Sequence, residues 1–149
     1  MMQVRDFLPE DKEAYLTMAT DLFNGPAAIH ALPLSYLEHT FKEILAGSPY
    51  LRGLILEEAG QVAGYCQLAF VYNNEIDGMY VWMDELYIKP EFRSKGLGSQ
   101  MFQWVFAEYR GKAKKLRFEV APDNTDALRL YRRLGFTEWP YIQFTKDFD

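Results

Sequence analysis

Residues 92–101, FRSKGLGSQM, stand between a strand-like stretch, ELYIKP, and a helix-like one, MFQWVFAEY. A chain that runs from a strand through two glycines and two cations into a helix has few arrangements open to it. The first turn of a helix leaves four backbone N–H groups without partners, and its dipole favours an anion. No side chain in 93–98 is an obvious acceptor for those groups. Gly96 and Gly98 let the backbone approach a ligand closely. Arg93 and Lys95 add charge of the right sign. These are the ingredients of a phosphate or pyrophosphate cradle. A glycine loop with solvated cations is the plain alternative.

The rest of the chain places that loop. MQVRDF (2–7) alternates as a short strand. LPEDKEAYLTMATDLF reads as a helix with Tyr15, Met18 and Leu22 inward and acids near its positive end. Asn24, Gly25 and Pro26 break it. Ser35-Tyr36-Leu37-Glu38 fits a capping box, and Leu37, Thr40, Phe41, Ile44 and Leu45 share a face of the helix that follows. The period then changes: RGLILEE, a turn at Ala59-Gly60-Gln61, and VAGYCQLAFVY form a hairpin, and GMYVWMDELYIK a third long strand. A helix over roughly 97–110 turns Met101, Phe102, Val105, Phe106 and Tyr109 inward; KKLRFEV is a strand, NTDALRLYRRLGF a short helix closed by Gly135, and WPYIQFTKDF one more strand. The order β-α-α-β-β-β-α-β-α-β predicts one mixed α/β domain over residues 1–149, with a parallel pair late in the chain.

Composition removes some classes. A net charge of -5 argues against binding nucleic acid through phosphate contacts. The single cysteine, Cys66, excludes an internal disulfide and fits a reducing compartment. MMQVRDFLPEDKEAY is neither a signal peptide nor a membrane span, so the expected place is the cytoplasm, without a membrane partner.

Among phosphate-binding loops, GxxxxGK[ST] is absent, and in GxGxxG the third glycine would fall on Met101. DELYIKPEFRSKGLGSQMF resembles the acetyl-CoA signature of the GCN5-related N-acetyltransferase superfamily, with Arg93-Ser94-Lys95-Gly96-Leu97-Gly98 as its [Q/R]-x-x-G-x-[G/A]. A second block, Val120 to Asn124 through Ala127, Tyr131 and Gly135-Phe136, is similar to the family's later motif, VxxxNxxAxxxYxxxGF. Together they cover roughly residues 80–136. The resemblance implies a mixed, twisted sheet whose central parallel strands, 80–88 and 115–120, splay apart to admit coenzyme A.

The resemblance also assigns roles. Backbone amides of Arg93, Ser94, Lys95, Gly96, Leu97, Gly98 and Ser99 would hold the pyrophosphate. The pantetheine would run beside Leu86, Tyr87 and Ile88 as an added strand does, and an amide near Leu86 would polarise the thioester carbonyl. Asn124 reads by propensity as the N-cap of the helix that follows, and the resemblance implies that it and Ala127 also contact the cosubstrate. Arg129, Arg132 and Arg133 are candidates to meet its 3′-phosphate, with a solvated helix face the plain reading for at least two of them. The acceptor amine must lose a proton to a carboxylate. Asp84 and Glu85 are adjacent in a strand, which sends their side chains to opposite faces; the family's diamine acetylases favour Asp84, with Glu85 in reserve. Tyr131 would protonate the leaving thiolate. Late-strand pairing in the family implies a homodimer. No metal is expected.

His30, between the first two helices, is a candidate acceptor contact or a surface histidine. Trp82, with Tyr72, Tyr80, Trp139 and Tyr141, could meet a cationic amine through ring faces, though most such aromatics belong to a core. Cys66 reads as a small buried residue. Three functions stay open: an acetyl-CoA-dependent N-acetyltransferase of a small or peptide amine, a non-catalytic acyl-CoA-binding module, and a dinucleotide-binding oxidoreductase.

Overall fold

In the computed structural model, residues 2–149 are described and the chain forms two compact units, Met1–Glu119 and Val120–Asp149. The first holds a five-stranded sheet in the order β1-β2-β3-β4-β5. Its strands are β1 (Gln3–Asp6), β2 (Leu51–Glu58), β3 (Gln61–Asn73), β4 (Gly78–Ile88) and β5 (Lys115–Arg117). The first four pair antiparallel, and β4 pairs with β5 in parallel. The helices of this unit are α1 (Lys12–Asn24), α2 (Leu34–Leu45) and α3 (Leu97–Tyr109).

Alternation along the strands gives the sheet two apolar faces. One carries Ile55, Tyr65 and Tyr87 and is covered by Tyr15, Met18 and Ala19 of α1 and Leu37 and Phe41 of α2. Aromatic rings dominate here: Tyr15 lies 5.2 Å from Phe7, 5.5 Å from Phe41 and 5.3 Å, edge-on, from Tyr65. Each ring buried this way contributes about 1.5–3 kcal/mol through removal of apolar surface from water. The other face carries Leu54, Cys66, Leu68 and Phe70 and meets α3, where Phe70 packs on Tyr109 at 5.7 Å.

Several expectations shift. Pro33, not Ser35, is the N-cap of α2, and no side chain caps it; the helix begins at Leu34, so Ser35 lies inside it and its capping box does not form. Leu45 and Phe106 are exposed rather than inward, each at the margin of its helix's buried stripe. The parallel strand is short: β5 stops at Arg117 instead of running to 120.

The second unit holds α4 (Thr125–Arg133). Asn124 is its N-cap, its side chain accepting from the Ala127 amide at 3.3 Å. The expected last strand in WPYIQFTKDF is absent; that segment is irregular, with Ile142 86% and Phe144 92% exposed. Pro140 within the segment has no N–H to give to a ladder.

Candidate active site

The register of β3 and β4 has one irregularity. Gln67 stands opposite Glu85 and Leu68 opposite Met83, so Asp84 has no partner of its own. This is a β-bulge, two residues on β4 facing one on β3. Its consequence overturns the expectation that Asp84 and Glu85 point to opposite faces. Tyr65 and Gln67 share a face of β3; the Tyr65 hydroxyl donates to Glu85 Oε1 at 2.7 Å, and Gln67 Nε2 donates to Asp84 Oδ2 at 3.4 Å. Both carboxylates therefore lie on the face that α1 covers. Period-2 alternation fails because the bulge spends two residues on one step.

The surroundings of the two acids push their proton affinities up. Burial raises Glu85, the Tyr65 hydrogen bond lowers it, Asp84's charge raises it, and the result stands at about 7. Asp84 keeps solvent contact but is also raised, by desolvation first; the Trp82 indole hydrogen bond opposes this, and Glu119's charge adds to it. A carboxylate raised toward neutrality beside a second one is what proton uptake near pH 7 requires.

The bulge also sits where the parallel pairing ends. β5 pairs only with Tyr80, Val81 and Trp82 of β4. From Met83 to Ile88, β4 runs on without that neighbour, which leaves an open strand edge beside Leu86, Tyr87 and Ile88. The edge is the splay expected between these strands.

The glycine loop begins at the end of this edge. Gly96 has a φ of 80° and is the N-cap of α3, with no side-chain cap. Ser94 also takes a positive φ, 60°. The first intrahelical bond runs from the Gln100 amide to the Gly96 carbonyl at 3.1 Å. The amides of Leu97, Gly98 and Ser99 precede it and have no acceptor within the helix. A Cβ placed on Gly98 would meet nothing within 4 Å, so the space in front of that amide is open. The two cations rest on aromatic faces: Arg93 lies 5.4 Å from the Tyr87 ring and Lys95 5.6 Å from Phe92. Arg93 Nε also donates to the Ile88 carbonyl at 2.8 Å. Tyr87 in turn donates its hydroxyl to Asp21 of α1, and burial with that bond pushes its phenol up to about 12.

Trp82 is half-buried and lies 6.2 Å from the buried Tyr80 ring. The Arg117 guanidinium covers both rings, at 4.8 Å from Tyr80 and 4.7 Å from Trp82. Tyr72 is exposed on β3. His30 is exposed in the connection between α1 and α2 and, among the described residues, makes no hydrogen bond or ion pair to either acid. Cys66 is fully buried, and desolvation with Glu85's charge lifts its thiol well above its ordinary value, which suits an inert residue.

Within the second unit, Tyr131 is half-buried against the edge of Phe136, ring centroids 6.4 Å apart, and burial raises its phenol. Arg129 pairs with Asp126, and Arg132 reaches Glu138 at 3.5 Å.

Sequence reasoning missed Tyr15, Tyr65 and Gln67. All three surround the acid pair, and the signal was present: Tyr65 and Gln67 are two apart in an otherwise apolar strand and so share a face. Among the described residues, no group of three or more His, Cys, Asp and Glu is placed to hold a metal ion, and no helix is long and apolar enough to cross a membrane.

The model of the acetyltransferase (GNAT) family matches residues 14–136. A Bacillus subtilis (strain 168) protein provisionally named a [ribosomal protein bS18]-alanine N-acetyltransferase is 28% identical over 138 residues, 89% of this chain and 78% of its own length. The spermine/spermidine N(1)-acetyltransferase of the same strain is 28% identical over 110 residues, 69% of this chain and 72% of its own. Among solved structures, the aminoglycoside N-acetyltransferase AAC(6')-Iy in complex with CoA superposes with a TM-score of 0.79 at 20% identity, covering 100% of this chain and 96% of that one. A family model that spans the bulged strand, the uncapped glycine loop and α4 leaves no place for a dinucleotide oxidoreductase: the chain belongs to the GNAT acetyltransferase family.

Proposed function

We propose that this chain is an acetyl-CoA-dependent N-acetyltransferase that moves the acetyl group to a primary amine of a small molecule or peptide by direct attack on the thioester. The observation that carries the reading is the bulge at Asp84. It places two carboxylates of raised proton affinity on one face of β4, where β4 loses its parallel neighbour and runs toward an uncapped helix start.

In this reading the amides of the 93–99 loop receive the pyrophosphate, as an uncapped helix start favours. The open edge of β4 takes the pantetheine amides as an added strand would, and fixes the carbonyl for attack. An amide near Leu86 polarises the carbonyl oxygen. The ammonium of the acceptor gives its proton to Asp84 or Glu85, and the free lone pair attacks the carbonyl carbon. The C–S bond breaks, and Tyr131 supplies the proton that the thiolate takes. Asn124 and Ala127 contact the cosubstrate. Trp82, Asp84 and His30 face the acceptor; Arg117 already covers one face of the Trp82 ring, so the attraction for a cationic amine comes from the acids. The whole of 1–149 acts as one catalytic domain in the cytoplasm, without a metal, a membrane or nucleic acid, and as a homodimer; sedimentation at working concentration tests the last point.

The test is transfer itself. The protein is incubated with acetyl-CoA and a panel of mono-, di- and polyamines and amino-terminal peptides, while free thiol and acetylated amine are followed together. Matched release of thiol and product supports the reading. Tight acetyl-CoA binding with no transfer to any amine would leave an acyl-CoA-binding module instead.

A further inference from the structure

Two buried polar atoms beside the acid pair lack partners: the Tyr15 hydroxyl and Gln67 Oε1. Tyr15 is 0% and Gln67 4% exposed, so bulk water does not satisfy them. An unpaired buried polar group costs far more than a satisfied one. Their chemistry is complementary: the phenol has a hydrogen to donate, and the amide oxygen has lone pairs to fill. Both are anchored around the same spot. Tyr15's ring packs edge-on against Tyr65, and Tyr65 and Gln67 project from one face of β3 to Glu85 and Asp84. Tyr15 feels the charges of both acids.

We propose that the Tyr15 hydroxyl and Gln67 Oε1 hold one internal water against the Asp84–Glu85 pair, and that Tyr15, Gln67 and Tyr65 are positioning residues for proton transfer between the two carboxylates. A water there accepts from Tyr15, donates to Gln67 Oε1 and donates its second hydrogen to a carboxylate, the three bonds typical of an internal water. Asp84, with solvent contact, takes the proton of the acceptor amine. The water passes a proton onward to Glu85 and regains the one Asp84 took. Glu85 ends protonated, Asp84 and the water are restored, and the amine has lost one proton. The Tyr65 hydroxyl holds Glu85 Oε1, so the carboxylate cannot turn away.

The catalytic meaning rests on the acetyltransfer reading above, but the water site does not. The groups that face Glu85 are Tyr65, Gln67 and, through the sheet, Cys66 from β3; Asp84 and Tyr87 from β4; and Tyr15 from α1. Asp21 and Arg93 act on Tyr87, and Glu119 on Asp84.

The experiment is a carbon-detected NMR titration of the glutamate side-chain carboxyls in the protein without acetyl-CoA, with Glu85 assigned by the signal lost in Glu85→Gln. Tyr65→Phe removes a donor to the charged form, so the Glu85 midpoint is expected to rise by at least about half a unit. Tyr15→Phe and Gln67→Met each raise it too, and the double variant raises it no further than the larger single change, because both anchor the same water. If Tyr15 is only a packing ring, Tyr15→Phe leaves the midpoint in place and raises the melting temperature; that result, or strictly additive shifts, overturns the proposal. Tyr65→Phe serves as the second variant should either of the others fail to fold, and a Glu85 midpoint unchanged in it also overturns the proposal. Calorimetry with acetyl-CoA on the same samples separates the two readings: absent binding sinks the acetyltransfer reading while the titration still decides the water site.

Discussion

Arg93 Nε donates to the carbonyl of Ile88 at 2.8 Å, tying the glycine loop to the last residue of β4. The same guanidinium lies over the Tyr87 ring, whose hydroxyl is bonded to Asp21 of α1. Arg93 is therefore a strut as well as a charge. Arg93→Ala is expected to weaken acetyl-CoA binding by about three- to tenfold, since the backbone amides remain, and Arg93→Lys to recover only part of that because its amine cannot copy the Nε bond. Calorimetric titration with acetyl-CoA checks both.

Gly98 offers the sharper test of the loop. No atom lies within 4 Å of a Cβ built there, and its φ is not in the left-handed region, so a side chain costs the fold little. Gly98→Val should keep its melting temperature within a few degrees while losing at least about tenfold in acetyl-CoA affinity, because the new methyls fill the approach to the helix amides. Unchanged affinity in the folded variant would place the pyrophosphate elsewhere.

Glu85 makes stability depend on pH. Its folded value of about 7 lies above the ordinary glutamate value of 4.5, so between those two the folded chain binds more protons than the unfolded one. Stability then falls as pH rises through that window, by on the order of 3 kcal/mol in all. Glu85→Gln should flatten the fall and melt higher than wild type at pH 8. Denaturant midpoints at pH 5, 6, 7 and 8 measure it; parallel curves for the two proteins would contradict the assignment.

Asp11 shows the opposite sign. Burial alone would raise its carboxyl, but the bidentate bonds from Arg5 at 2.7 and 3.0 Å and the Leu8 amide at 2.7 Å outweigh that and hold it below its ordinary value. Its contribution is present above the ordinary carboxylate range and is lost as pH falls through the depressed value. Asp11→Asn should cost about 1.5–3 kcal/mol at pH 7, the range for hydrogen bonds to charged groups, with no effect on acetyl-CoA affinity.

Tyr131→Phe keeps the ring that packs edge-on against Phe136 and deletes only the hydroxyl. Melting temperature and CoA affinity should hold while the single-turnover rate falls. Tyr131→Ala should lower both rate and melting temperature. A full rate in the Phe variant would return Tyr131 to packing and leave water or the amine as the proton source.

Much of the fold was legible because it rests on local signals. The shift from helical to alternating period marked the hairpin and β4, and two glycines marked the start of α3. What failed was non-local. Ser35 satisfies the capping-box pattern, yet the helix starts one residue earlier, because Pro33 already fixes the entry. WPYIQFTKDF carries strand-type residues but takes no regular strand, and Pro140 within it has no N–H to donate. The bulge belongs to a pairing between two strands and cannot be read from one alone. It did leave a trace: Val81 and Met83 share a face, and the next apolar residue on that face is Leu86, three positions on. The step of three marks the extra residue at Asp84, and with it the pairing of the acids with Tyr65 and Gln67.

The central claim is that the bulged acid pair takes the proton of the acceptor amine, and the single-turnover rate of acetyl transfer in the Asp84→Asn/Glu85→Gln double variant tests it most directly. With acetyl-CoA saturating at pH 7.5 and the best amine of the panel, the rate should fall by about a hundredfold or more, the lower bound for general-base work, while acetyl-CoA affinity stays within about threefold. A folded double variant that binds acetyl-CoA normally and transfers within about tenfold of the wild-type rate would contradict it.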